Sequence, residues 1–218
     1  VEIEHRKGLR REFEKGKEKA VEAAVGDMAR FIIGRDPTRI QQAWQIMYRH
    51  GFWRGGVVLM TAMSGIDQAL WDIVGKELGV PVYRLLGGAA RDRMELYTHV
   101  HGRTPDELAV NSAALVAKGW RALKTGSVSF EQFSTEQQAV DAFALRIKLM
   151  RDAVGPEVKI MVDAHGKHTP GQALKLIRAV APYDLYFFEE PVPPDNVAAY
   201  QRVREAETGV TLATGERL

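Results

Sequence analysis

Val158-Lys159-Ile160-Met161-Val162-Asp163, Leu185-Tyr186-Phe187-Phe188-Glu189 and Val210-Thr211-Leu212-Ala213-Thr214-Gly215-Glu216 are three apolar runs that each lead to an acid. Asp163, Glu189 and Glu216 lie 26 and 27 residues apart, the length of one strand and one helix. An acid at the same point of three successive βα units puts three carboxylates on the C-terminal rim of one parallel sheet. That rim is where barrels assemble their sites. Oxygen ligands that converge there suit a hard divalent cation, Mg²⁺ before Mn²⁺. One acid after a strand commonly caps the following helix. Three in register favour a metal site.

Working outward, the organisation of the chain changes near Arg91. Before it the pattern is helical: Val21, Ala24, Val25, Met28 and Ile32 recur at spacings of three and four, and Gly34 with Pro37 stops the helix. Ile40, Trp44 and Met47 mark a second amphipathic stretch, and Met60 to Leu78 a third that is nearly all apolar. After Arg91 strand and helix alternate. Strand 1 is expected over Leu96 to Val100 and strand 2 over Trp120 to Thr125, with a helix through Leu108, Leu115 and Val116 between them. A long helix is expected over Glu136 to Val154, closed by Gly155-Pro156. Thr169-Pro170 reads as an N-cap followed by proline in the first turn. This order means a parallel α/β barrel or a doubly wound sheet.

Composition excludes several classes. The 218 residues are 45% hydrophobic and 27% charged, enough to bury a substantial core. A net charge of +2, with both signs well mixed even in the dense stretch Glu2 to Lys19, gives no footprint for nucleic acid or an anionic membrane. The chain has no cysteine, so disulfides, thiolate metal sites and a cysteine nucleophile are out. No apolar run long enough to span a bilayer and no signal-peptide pattern at the start is evident, and a cytoplasmic location is expected.

Ser64-Gly65-Ile66-Asp67-Gln68-Ala69-Leu70-Trp71-Asp72-Ile73, then Gly75-Lys76 and Pro81-Val82-Tyr83-Arg84-Leu85-Leu86-Gly87-Gly88, resemble the enolase superfamily. More narrowly they resemble its mandelate racemase subgroup and the sugar-acid dehydratases within it. Val162-Asp163-Ala164-His165-Gly166, Phe188-Glu189-Glu190-Pro191 and Thr214-Gly215-Glu216-Arg217-Leu218 are similar to that family's three metal-ligand motifs. The resemblance starts at about Ala20, and the charged segment Val1 to Lys19 does not share it. It implies an α/β fold: a modified TIM barrel of the (β/α)7β type over residues 91–218, with a mostly helical α+β capping domain over residues 1–90. It also implies one Mg²⁺ per site, held by Asp163, Glu189 and Glu216. Glu190 is the neighbour of a ligand, its side chain expected on the opposite face of the strand.

The chemistry such a site implies is removal of a weakly acidic proton beside a carboxylate, with Mg²⁺ neutralising the enediolate that forms. In dehydratases like these a histidine two residues after the first ligand protonates the departing hydroxyl, which assigns His165 as general acid. On a continuing strand that spacing would place His165 and Asp163 on one face. Lys124 ends strand 2. Relatives carry a Lys-x-Lys pair there whose second lysine is a base, and Gly126 takes that place here. Lys124 is therefore read as binding the substrate carboxylate or neutralising charge near the metal, against a lysine that simply ends a strand in solvent. The Gly126 to Thr135 loop, with Phe130 and Phe133, could shape a pocket or be an ordinary surface loop.

Other residues take structural readings. His168 is read as loop, and Phe52-Trp53-Arg54 as a turn with a packed tryptophan. Trp44, Met47 and Trp71 are read as core, and Asp67 and Asp72 as structural hydrogen-bonding groups. His99 and His101 end strand 1 with no assigned role. A barrel of this type takes about 250 residues, and five strands are counted here. The chain is thus expected to be part of a longer polypeptide, with the proton-abstracting base on later strands. The expected function is Mg²⁺-dependent dehydration of a sugar (aldonic) acid to a 2-keto-3-deoxy acid, the partner being that small molecule and, as in relatives, a homo-oligomer. A racemase or epimerase of the same superfamily and an inactive metal-binding fragment are the alternatives.

Overall fold

The computed structural model describes residues 18–217, so the charged segment up to Lys17 lies outside the described residues. The chain divides into two compact units between Arg93 and Met94.

The first unit is helical. Helix α1 spans Glu18–Ile32, α2 Ile40–His50, α3 Val57–Glu77 and the single turn α4 Val82–Leu85. Ala24 and Met28 of α1 meet Ile40, Ala43 and Met47 of α2 and Ala62, Met63, Ile66 and Leu70 of α3 in one buried cluster. These positions repeat every three to four residues, which is why one stripe of each helix faces the others. Met47 is buried as expected. Trp44 and Trp71 pack only at the margin of the cluster, and Trp44 stacks on Tyr48 at 5.1 Å between centroids.

Two expectations are corrected in this unit. Trp53 is 81% exposed and Phe52 87% exposed, and the two rings meet each other edge to face instead of packing into the cluster. By length and composition α3 is apolar enough to cross a bilayer, with a mean hydropathy of 1.3 over its best window. Ser64, Asp67, Gln68 and Asp72 interrupt its apolar run and hide that average from a search for unbroken stretches. Ala62, Met63, Ile66 and Leu70 of this helix join the buried helical cluster, while most of its apolar stretch is not buried.

The second unit is a five-stranded parallel sheet in the order β1-β2-β3-β4-β5. The strands are β1 Thr98–His99, β2 Ala122–Gly126, β3 Lys159–Asp163, β4 Leu185–Glu189 and β5 Leu212–Ala213. Between them run α5 Pro105–Ala117, α6 Glu136–Val154, α7 Pro170–Val180 and α8 Val197–Glu205. Each strand pairs with the next in sequence. A doubly wound sheet would reverse its order at a switch point, so this unit is an arc of a barrel. Strand β1 is shorter than Leu96 to Val100, and Leu96 and Tyr97 are exposed ahead of it.

The helix boundaries follow from their caps. The Thr104 and Thr169 side chains accept from the third backbone N–H of α5 and α7, each with proline in the first turn. Thr135 and Gln138 form a reciprocal capping box at α6. Leu123, Ile160, Val162 and Phe188 of the sheet pack on Leu108, Phe143, Ile147, Leu176 and Val203 of the helices. Residues alternating with them, Lys124, Asp163 and Glu189, point to the other face. Phe130 is also in this core, in a short 3₁₀ turn at Phe130–Gln132, so it lines no pocket on the opposite face.

Candidate metal centre

Register brings the acids together. Gly126 pairs with Asp163, Asp163 with Glu189, and Glu189 with Ala213. Asp163 and Glu189 are therefore nearest neighbours on the last row of the sheet, and Glu216 follows β5 by three residues. One oxygen from each of Asp163, Glu189 and Glu216 lies within 4.8 Å of the others. Asp163 is buried, Glu189 half-buried and Glu216 exposed.

Lys124 is placed deeper than a lysine ending a strand in solvent. Its side chain is 6% exposed, and its Nζ donates to Asp163 Oδ2 at 2.9 Å and to Glu189 Oε2 at 2.7 Å. It also lies 5.4 Å from the centre of the Tyr97 ring. Burial alone would lower its pKa, but the bonds to Glu189 and Asp163 outweigh that and hold it above the usual lysine range. Burial would raise Asp163, and the Lys124 ammonium and the His165 N–H hold its carboxyl below the usual range. Glu216 moves the other way: burial, then the charges of Glu190, Asp163 and Glu189, push its carboxyl up.

His165 reaches the acid by a different route from the one expected. Strand β3 stops at Asp163, and His165 sits in the left-handed region at φ 52°. Its N–H donates to Asp163 Oδ1 at 3.0 Å. The turn brings Nε2 within 3.5 Å of Asp163 Oδ2, with the ring 52% exposed. A tight turn, not strand alternation, sets the pairing.

His168 lies in the loop after β3, as read, but it is not a surface residue. It is buried, its Nε2 is 2.9 Å from Ser127 Oγ, and its ring meets Phe130 edge to face. The signal that could have found it is the Ser127-Val128-Ser129-Phe130 segment, which supplies a hydroxyl and an aromatic ring close together. Glu190 is fully buried and bonds Arg217, so Glu189 is the acid of that motif that joins the cluster. The His99 and His101 rings stack at 6.2 Å at the end of β1.

The donor set fits a hard divalent cation. The Lys124 ammonium already bridges two of the three acids as a cation would. Burial first, and then the charges of the neighbouring acids, push the Glu216 carboxyl up, and a cation placed among them would offset those charges. Three carboxylates offering oxygen alone suit Mg²⁺, which takes part of its shell from water or substrate.

The chain is similar to known proteins in sequence and in fold. A D-galactonate dehydratase from Ralstonia nicotianae is 44% identical over 203 residues, which are 93% of this chain and 53% of that protein. The chain spans about half the length of the relatives it matches. A crystal structure of a member of the enolase superfamily from Salmonella Typhimurium superposes with a TM-score of 0.85 at 31% identity, over 92% of this chain and 57% of the other. The 3,6-anhydro-D-galactonate cycloisomerase from Zobellia galactanivorans superposes with a TM-score of 0.80 at 30% identity, over 91% of this chain and 54% of that one.

Residues 5–87 match the mandelate racemase/muconate lactonizing enzyme N-terminal domain. That match begins well before Ala20 and takes in most of the charged segment that was expected to lie outside the resemblance. Residues 107–218 match the family described as enolase C-terminal domain-like. The chain belongs to the enolase superfamily, with the N-terminal and C-terminal domains of its mandelate racemase/muconate lactonizing enzyme branch.

Proposed function

We propose that the protein containing this chain dehydrates a sugar (aldonic) acid to a 2-keto-3-deoxy acid, with one Mg²⁺ held by Asp163, Glu189 and Glu216. The observation that carries the reading is the convergence of these three acids within 4.8 Å at the strand ends, with the His165 ring beside Asp163. The D-galactonate dehydratase relative, at 44% identity, supports the substrate class.

Mg²⁺ bound there would neutralise the second negative charge that grows on the substrate carboxylate as its α-proton leaves. Lys124 bonds both Asp163 and Glu189 and so holds them aimed at the same point. His165, half exposed toward solvent, can give a proton to the departing β-hydroxyl, which then leaves as water. Gly126 stands where a second strand-2 lysine would sit, so the group that takes the α-proton is assigned elsewhere in the protein.

The test is incubation of the full protein with a panel of polyhydroxy acids that includes D-galactonate. A keto acid that forms only with Mg²⁺ and stops on chelation supports dehydration. Inversion of a centre without keto acid assigns the racemase or epimerase chemistry instead. Metal binding with no turnover of any acid leaves an inactive metal-binding protein.

A further inference from the structure

We propose that Arg217 and Glu190 form a positioning pair that holds Glu216 against the other two ligands and so sets the affinity of the centre for its cation. The inference rests on the metal reading above.

Strand pairing orients Asp163 and Glu189, which are register partners. It does not orient Glu216. Strand β5 is two residues long, Glu216 lies three residues beyond it, and its side chain is 41% exposed. The residue next to it supplies the restraint. Arg217 donates from Nε, at 3.0 Å, and from Nη2 to one oxygen of Glu190, Oε2. Its Nε also lies 3.9 Å from Glu216 Oε1. Each member of the pair thus shares a peptide bond with a ligand.

Glu190 is built into the rim. Its carboxylate is fully buried, and its backbone is in the left-handed region at φ 40°, a conformation that a non-glycine residue keeps only when its surroundings hold it there. Its N–H donates to the Ala213 carbonyl at 2.9 Å, and its own carbonyl accepts from Gly166 N–H at 2.7 Å. One residue therefore ties the turn after β4 to the turn after β3 and to the end of β5. A buried carboxylate needs its charge matched, and Arg217 is the cation that bonds it.

Gly166 completes the arrangement. It sits at φ +63°, and a Cβ there would lie 2.7 Å from Arg217 Nη2 and 3.2 Å from Pro193 Cα. The guanidinium crosses to Glu190 through space that a side chain at residue 166 would fill. All three ligand motifs thus contribute one residue that is not a ligand: Gly166, Glu190 and Arg217. Partners that orient ligands in this way typically change metal affinity 10- to 100-fold when removed.

The test is calorimetric titration of the purified full protein with Mg²⁺, without substrate, alongside thermal melts of the metal-free protein. Arg217→Lys keeps the charge and loses the fork, so any change reports geometry and not field strength. Its Kd should rise about 10- to 100-fold, as should that of Glu190→Gln. The double variant should bind no worse than the weaker single one, because the two act as a unit. Arg151→Lys, at the other end of the sheet, controls for stability alone and should lower Tm while leaving Kd unchanged. Native affinity in Arg217→Lys, or a loss no larger than Arg151→Lys shows, overturns the inference and leaves the metal reading standing. Failure of the native protein to bind Mg²⁺ overturns both.

Discussion

Nζ of Lys124 lies 2.9 Å from Oδ2 of Asp163, with both side chains 6% exposed. The same ammonium reaches Glu189, so a side chain from β2 holds together acids from β3 and β4. A buried pair that loses one partner leaves an uncompensated charge, at a cost of about 3–5 kcal/mol.

Lys124→Met should therefore lower the stability of the metal-free protein by about 3 kcal/mol. Mg²⁺ should restore a larger part of Tm in the variant than it adds to the native protein, because it supplies the missing positive charge. Melting curves with Mg²⁺ and with chelator measure both. An equal Mg²⁺ increment in the two proteins would count against the cation-like role of Lys124.

His165 donates its N–H to Asp163, and its ring, with Nε2 3.5 Å from Asp163 Oδ2, is half exposed. His165→Asn should leave Mg²⁺ affinity within a few-fold of native and reduce dehydration by about 10²- to 10⁴-fold, the usual worth of a positioned acid. Calorimetry and product formation on the same preparation separate the two effects. Loss of metal binding in this variant would make His165 structural.

His168 is buried against Ser127 and Phe130. Burial first, and then the nearby Lys167, push its imidazole below the ordinary 6.5, with Glu131 acting weakly the other way. The unfolded chain then takes up a proton more readily than the folded one. Stability should be full above about pH 6.5 and fall as the pH drops toward the lower folded value. Urea unfolding across that range measures the slope, and His168→Gln should flatten it.

Arg151 donates to four carbonyl oxygens, those of Tyr183, Gly155, Val158 and Asp184. It thereby fastens the end of α6 to the start of β3 and to the turn before β4. Arg151→Ala leaves those acceptors without their donor, each charge-assisted bond being worth about 1.5–3 kcal/mol. The urea midpoint should fall by the equivalent of at least about 2 kcal/mol with little change in slope.

The parts of the fold legible in the sequence were those with local causes. The span Glu136–Val154 of α6 is set by a cap at Thr135 and a stop at Gly155, and both are single-residue signals. The convergence of Asp163 and Glu189 was legible because strand register turns a repeat of 26 residues into a shared row, whereas Glu216 joins them from three residues past β5. Lys124 was harder. Its burial depends on two acids 39 and 65 residues away, and nothing beside it in the chain reports them. His165 was placed near Asp163 for the wrong reason, since the strand ends at Asp163 and a left-handed turn does the work. His168 was read correctly as loop, but its burial was missed because its partners come from the loop after the neighbouring strand. Trp53 shows the reverse error: a large apolar side chain suggests packing, and here it is exposed.

The central claim is that Asp163, Glu189 and Glu216 form one divalent-cation centre. A crystal of the full protein soaked in Mn²⁺, with anomalous scattering measured at the manganese edge, tests it most directly. The account predicts one strong peak bonded to an oxygen from each of the three acids, with the Lys124 ammonium displaced from at least one of them. No peak among these carboxylates at saturating Mn²⁺, or a peak held by other residues, would contradict it.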